Sequence, residues 1–404
     1  NIISKAIEMI KKASKPLIVS GGGTIYSAAV DELIKFVDQT GIPVAETFAG
    51  KGALPYNKPE SIGAVGATGT PGAAAMAKEA DLIIGIGTRY SDFTTASKTA
   101  FQNPDVKFVN INVTEFDSYK HSALPVVADA KEALTELIDG LKKYKVDSAW
   151  HQKAADYNKS WDEKVSEYYT DKKRTPVTQA EVVGAVNNFS DPKDVLLCAA
   201  GSLPGDLHKL WRTRDRKGFH LEYGYSTMGY EIAAGMGAKM ACPDREIYVM
   251  VGDGNYLMNN HEIITSIQEG IKMTIVLLNN NGFGSIGALS ESVGSKRFGT
   301  KYRFRNNSTG QIDGDILPVD FIKNAESLGA NVIQADNIES LNQALKKAKQ
   351  SDKTTVIYIE TDLEKSVEGY AWWEVAVAEV SEMDSVKEAY KNYLENKKNQ
   401  KYYL

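Results

Sequence analysis

Two kinds of apolar pattern alternate along this chain. Short unbroken runs such as Pro16 to Val19, Leu82 to Ile86 and Val195 to Ala199 carry no polar interruption. Such runs mark strands buried on both faces of a parallel sheet. Between them, apolar residues recur at helical spacing, as at Ile2, Ile3, Ala6 and Ile10 or at Ile263, Ile264 and Ile267. A helix is predicted from about Ser27 to Gln39, with Gly41 as its cap, followed by a strand at Pro43 to Ala45 and another at Val106 to Val113. A charged segment from Tyr144 to Arg174 then sets Trp150, Tyr157, Trp161 and Tyr168 at intervals of seven, four and seven, which puts them on one helical face. Pro176 ends that segment, and Thr178 with Glu181 forms a capping box for the next helix. The expectation is an α/β chain: two doubly wound parallel-sheet domains, at 1–143 and 176–404, joined by a helical connector at 144–175.

The chemistry concentrates in the second domain. A strand at Glu246 to Val251 stops at Gly252-Asp253-Gly254, and a second at Lys272 to Leu278 closes on Asn279-Asn280-Asn281-Gly282, with a helix from about His261 to Glu269 and Gly270 between them. Strand, helix, strand is a right-handed crossover, so Asp253 and Asn280 reach the same carboxyl edge of the sheet, where ligands of open α/β folds bind. One carboxylate, one amide oxygen and backbone carbonyls form an all-oxygen set suited to Mg²⁺. The remaining ligands would come from phosphates and water. A helix starting after Gly254 would offer free amides to those phosphates.

This pair of motifs, at this spacing and in this strand context, resembles the signature of thiamine-diphosphate-dependent enzymes. The resemblance implies Mg²⁺ bound by the side chains of Asp253 and Asn280 and the carbonyl oxygen of Gly282. It also implies a diphosphate held by the turn beginning at Gly252, through the backbone amides of Gly254 and Asn255. Two further segments fall where that site needs them. The strand-to-helix turn Ala200 to Gly205 brings Gly201, Ser202 and Leu203 as a phosphate loop. The small-residue segment Gly224 to Ala238 is similar to the family segment that bends the cofactor, with Met228 as the apolar wedge and the Ser226 carbonyl as acceptor for the cofactor's 4′-amino group. In the same light the first domain, with Thr47 to Pro55 and Gly85 to Arg89, resembles the family's Rossmann-like central domain. Some relatives bind a flavin or adenosine nucleotide there, and here it is expected to be scaffold. Gly21-Gly22-Gly23 lacks Gly-x-Gly-x-x-Gly spacing, and no acid closes the second strand at a ribose position.

Composition excludes more than it identifies. A net charge of −5 with interspersed signs argues against nucleic acid or an anionic membrane as partner. No stretch approaches the ~20 apolar residues of a membrane span. Cys198 and Cys242 are too few for a disulfide framework and read as buried thiols in a reducing cytoplasm. The five histidines show no zinc spacing, and only His208, one turn past the phosphate loop, is a candidate for the mouth of the site, against a surface-helix role.

Arg297 to Arg305 and the tail Gly369 to Ser381, with Trp372-Trp373, are similar to the branch of the family that hydrolyses a cyclic diketone in inositol catabolism. Arg303 and Arg305 are candidates for contacting the polyol or for anchoring the loop. Asn255-Tyr256 and the loop Ser285 to Lys296 depart from that branch. The implied reaction is hydrolytic ring opening, with a 2-keto acid decarboxylase or acetolactate-synthase-like carboligase as the alternative, and a non-catalytic nucleotide-binding scaffold as the alternative of another class. The glutamate that activates the cofactor is expected on a separate N-terminal pyrimidine-binding domain preceding Asn1, so no catalytic residue is assigned here. The full-length protein is expected to be a homodimer or tetramer.

Overall fold

The computed structural model describes residues 2–170, 175–362 and 367–403. Residues 171–174, at the end of the expected connector, lie outside them. Two six-stranded sheets, parallel throughout, carry the chain, as the apolar runs imply. The first comprises β1 (Pro16–Ser20), β2 (Val44–Glu46), β3 (Ser61–Ala64), β4 (Leu82–Ile86), β5 (Lys107–Asn112) and β6 (Leu124–Val127), in the order β3-β2-β1-β4-β5-β6. The second comprises β7 (Val195–Cys198), β8 (Phe219–Leu221), β9 (Ile247–Gly252), β10 (Thr274–Asn279), β11 (Asn331–Ala335) and β12 (Thr355–Glu360), in the order β11-β12-β10-β9-β7-β8. The central strands are apolar because helices cover both faces: every residue of β1, β4, β7 and β10 is buried.

The helix Val30–Thr40 shows how the covering works. Leu33, Phe36 and Val37 fall on one face and are fully buried, each contributing roughly 1.5–3 kcal/mol. Gly41 ends it in the left-handed conformation at φ 72°. Its start differs from the prediction at Ser27. A separate short helix, Gly22–Tyr26, comes first, and Ala28 at φ 54° interrupts the path before Val30. Apolar spacing does not register a single left-handed residue.

The connector is the helix Ser148–Tyr169, and it touches both domains. Trp150 is buried and donates its indole N–H to the Pro16 carbonyl at 2.9 Å, while Trp161 donates to that of Lys209 at 3.1 Å. The capping box forms as read, the Thr178 hydroxyl accepting from the Glu181 amide at 3.2 Å and the Glu181 carboxylate from the Thr178 amide at 2.8 Å. Beyond β12, the tail returns to the first domain. The Trp373 indole donates to Asp92, and the Tyr403 hydroxyl donates to the Phe101 carbonyl.

Candidate functional site

The strand order of the second sheet places a crevice between β7 and β9, where successive connections leave in opposite directions. A doubly wound sheet opens for a ligand at that point. Gly201 follows β7, at φ 101°, and opens the helix Ser202–Leu210. Gly252 ends β9, and Leu278 of β10 is in register with it, so the Asn279-Asn280 turn stands beside Asp253. A cavity of about 200 Å³ lies here, lined by Ser202, Met228, Asp253, Asn255, Asn280 and Phe283 among others. Gly201, Leu203, Ser226, Gly252, Gly254 and Gly282 line it too. The structure thus brings together every residue expected at the metal and the cofactor.

Asp253 is 1% exposed. Burial pushes its carboxyl up to about 6, against the opposing effect of nearby backbone N–H groups. One carboxylate oxygen accepts from the Gly254 amide and the other from the Gly282 amide, each at 2.9 Å. The Gly254 amide is therefore engaged by its neighbour's side chain and not free, as the helix-start expectation had it. The two asparagines divide their work. Asn279 is turned inward, its amide nitrogen donating to the Tyr358 hydroxyl at 2.8 Å and its oxygen accepting from the Asn281 amide at 3.0 Å. Asn280 Oδ1 is buried and has no hydrogen-bond partner among the described residues. A buried acceptor without a donor is costly, and a cation beside the Asp253 carboxylate would satisfy it. Among the described residues no three His, Cys, Asp or Glu side chains converge to hold a metal. A metal here would take one carboxylate with amide and carbonyl oxygens, and further oxygens from its ligand. That donor set fits Mg²⁺ together with a diphosphate.

Ser226 sits in an exposed turn at φ 56°, and Met228 is half-buried over the cavity. His208 is neither at the mouth nor on a surface helix. It is 1% exposed and stacks on Phe48 of the first domain with ring centroids 4.1 Å apart. Its Nδ1 shares a hydrogen bond with the Thr68 hydroxyl at 2.8 Å, and burial holds its pKa well below the usual histidine range. Arg303 and Arg305 donate to the Gly314 and Gly310 carbonyls, which makes them loop anchors. Cys198 is buried and its thiol raised by burial, while Cys242 is only half-buried.

Sequence reasoning missed Glu231. It lies in the first turn of the helix Tyr230–Ala241, where an acid reads as a favourable partner of the helix dipole. In the fold it is 1% exposed and joined to Ala200, Gly229 and Asn255.

Residues 3–137 match the thiamine pyrophosphate enzyme central domain, and residues 199–359 match the C-terminal TPP binding domain of the same enzymes. Proteins named 3D-(3,5/4)-trihydroxycyclohexane-1,2-dione hydrolase, from Bacillus cereus (strain AH820) and Bacillus anthracis, are each 42% identical over 98% of this chain. One of the same name from Bacillus thuringiensis (strain Al Hakam) is 41% identical over the same share. The chain spans 65% of the length of these relatives. The first match spans all six strands of the first sheet, and the second takes in β8 to β11, most of β12 and every cavity-lining residue except Gln179. The chain belongs to the thiamine pyrophosphate enzymes, whose central domain and cofactor-binding domain it carries.

Proposed function

We propose that this chain supplies the diphosphate- and magnesium-binding half of an enzyme that opens a cyclic 1,2-diketone, 3D-(3,5/4)-trihydroxycyclohexane-1,2-dione, by hydrolysis of a carbon–carbon bond to give 5-deoxyglucuronate. The observation that carries this reading is the identity with the dione hydrolases over 98% of the chain. The aligned stretch takes in the tail and the loop after Asn280 as well as the shared cofactor motifs.

In this reading the side chains of Asp253 and Asn280 and the carbonyl of Gly282 hold Mg²⁺. The backbone at Gly252, Gly254 and Asn255, with Gly201, Ser202 and Leu203 opposite, faces the diphosphate. Met228 supports the bend of the cofactor, and the Ser226 carbonyl takes its amino group. Bound there, thiamine diphosphate supplies a carbon nucleophile and an electron sink for cleavage beside a carbonyl. The chain's own contribution is to bind and orient it and to keep water from the Asp253 carboxylate, which is nearly fully buried. The glutamate that faces the aminopyrimidine is assigned to a separate pyrimidine-binding domain of the whole protein, and no acid–base residue is assigned here. The first domain serves as scaffold, the whole protein is a homodimer or tetramer, and its place is the cytoplasm. Among the described residues no helix is long and apolar enough to cross a membrane, and the formal charge of −5 supports a small-molecule partner over a nucleic acid.

Calorimetry with thiamine diphosphate, with and without Mg²⁺, tests the site. Metal-dependent binding is expected, and binding of adenine nucleotides alone would replace this reading with a scaffold. A cyclic-dione assay of the whole protein beside a 2-keto acid assay tests the reaction. Turnover of the keto acid alone would make it a decarboxylase or carboligase.

A further inference from the structure

Glu231 is a buried carboxylate that no cation pairs with among the described residues. Holding such a charge out of water is costly unless donors surround it. Three do. Oε1 accepts from the Ala200 amide at 3.4 Å and, at short range, from the Asn255 side-chain nitrogen, and Oε2 accepts from the Gly229 amide at 3.0 Å. Asn255 closes the ring by donating to the Ala200 carbonyl at 2.9 Å.

What the three donors have in common is their place. Ala200 precedes Gly201, Ser202 and Leu203; Gly229 follows Met228; Asn255 follows Gly254. Each belongs to a different cavity-lining segment, and among the described residues Glu231 is the side chain on which all three meet. A carboxylate alone among side chains offers acceptor sites to three N–H donors at once with none of its own to place. The buried charge, otherwise a liability beside a site for an anion, thus has a reason.

The geometry points to Glu231 as a positioning residue for thiamine diphosphate: one buried carboxylate fixes the spacing between the phosphate loop, the Met228 turn and the Gly-Asp-Gly turn. This rests on the cofactor reading above and adds to it a residue that touches neither metal nor cofactor. Its consequence is selective. In Glu231→Gln the single oxygen stays with Asn255 and Ala200, since that orientation keeps two bonds and the reverse keeps one. The new NH₂ then confronts the Gly229 amide, donor against donor, and only the Met228 turn is released. Met228 is assigned to the thiamine rings and not to the phosphates.

The test titrates the 404-residue chain in Mg²⁺ with two probes, thiamine diphosphate and inorganic diphosphate. Glu231→Gln is expected to bind thiamine diphosphate about tenfold more weakly while holding inorganic diphosphate within about twofold. Glu231→Ala, which frees all three segments, is expected to weaken both. Should the alanine variant fail to fold, the glutamine variant carries the test. A glutamine variant equal to wild type for both probes, or losing both equally, overturns the proposal, because a merely structural role does not distinguish them. A wild-type chain that binds neither probe overturns the cofactor reading itself.

Discussion

The two sheets end in glycine-rich turns at the same topological point, and the glycines are there for opposite reasons. At the first edge, a Cβ added to Gly21 would lie 2.3 Å from the Gly87 carbonyl oxygen, and one on Gly23 would lie 2.6 Å from the Gly87 Cα. The turn after β1 packs directly on the turn after β4, backbone on backbone. At the second edge, a Cβ on Gly201 or Gly252 would meet nothing within 4 Å. Backbone is left open there beside a buried acid and an unpartnered amide oxygen. Size points the other way, for the cavity at the first edge is about 460 Å³ against about 200 Å³ at the second. The smaller cavity is the one that combines open backbone with a buried acid and an amide oxygen that has no partner among the described residues.

The harshest test removes that chemistry. Asp253→Ala is expected to weaken Mg²⁺-dependent binding of thiamine diphosphate by at least about 100-fold, read by calorimetry, with the fold retained by circular dichroism. Retained affinity would leave the second edge no more of a site than the first.

Paired alanines then measure the glycines themselves. Gly21→Ala forces the two turns of the first edge apart and is expected to cost about 2–3 kcal/mol of stability in denaturant unfolding, with cofactor affinity unchanged in the folded fraction. Gly252→Ala, whose φ is −77° and whose surroundings are empty, is expected to leave stability within about 0.5 kcal/mol of wild type. The methyl group projects into the space assigned to diphosphate, so binding falls about tenfold. Equal effects at the two positions would collapse the comparison.

A finer version lies within one turn. Asn279→Ala removes hydrogen bonds to Tyr358 and Asn281 and is expected to cost about 1–2 kcal/mol of stability. Asn280→Ala removes an acceptor that has no partner among the described residues. It is expected to be neutral or stabilising without ligand, and to weaken metal-dependent binding about tenfold. Thermal shifts with and without Mg²⁺ and thiamine diphosphate separate the two.

Much of this contrast was legible in the sequence, and the limits have physical causes. Strand ends at Gly252 and Asn279 follow from apolar runs that stop abruptly, and a short helical crossover, Asp253–Met258 and Glu262–Gln268, leaves no freedom about which edge they share. Gly21-Gly22-Gly23 departs from the spacing of a dinucleotide turn, but its packing partner, Gly87, is distant in the chain and carries no side-chain signal. His208 was misplaced for the same reason. Its stacking on Phe48 and its bond to Thr68 come from another domain, 140 residues away in the case of Thr68. Glu231 was hidden differently, because a first-turn acid is what a solvated helix also carries. Its burial is decided by Ala200 and Asn255, which no local pattern links to it.

Unsatisfied groups exist at the first sheet as well, and their behaviour sharpens the contrast at its smallest scale. His121, at φ 61° in the turn before β6, packs among Tyr90, Phe108 and Tyr403 with ring centroids 5.0–5.1 Å away, and its Nε2 has no hydrogen-bond partner among the described residues. Burial drives its pKa down to about 4, and the cations of Lys120 and Lys98 act in the same direction. The fold therefore prefers the neutral ring while the unfolded chain protonates near 6.5. Stability from this residue is complete above about pH 6.5, declines as pH falls, and is fully lost once pH passes below about 4. Because the ring keeps some contact with water, the loss is about 1 kcal/mol and not the full linkage value. His121→Asn tolerates the left-handed backbone and cannot titrate. The wild-type minus variant difference in unfolding free energy is expected to shrink by that amount between pH 6.5 and 4, with no change in cofactor affinity at pH 7. A constant difference across the window would mean that the ring is hydrated in the fold. The unpartnered nitrogen at the first sheet would then be satisfied by water, as the Asn280 oxygen at the second is assigned to be satisfied by metal.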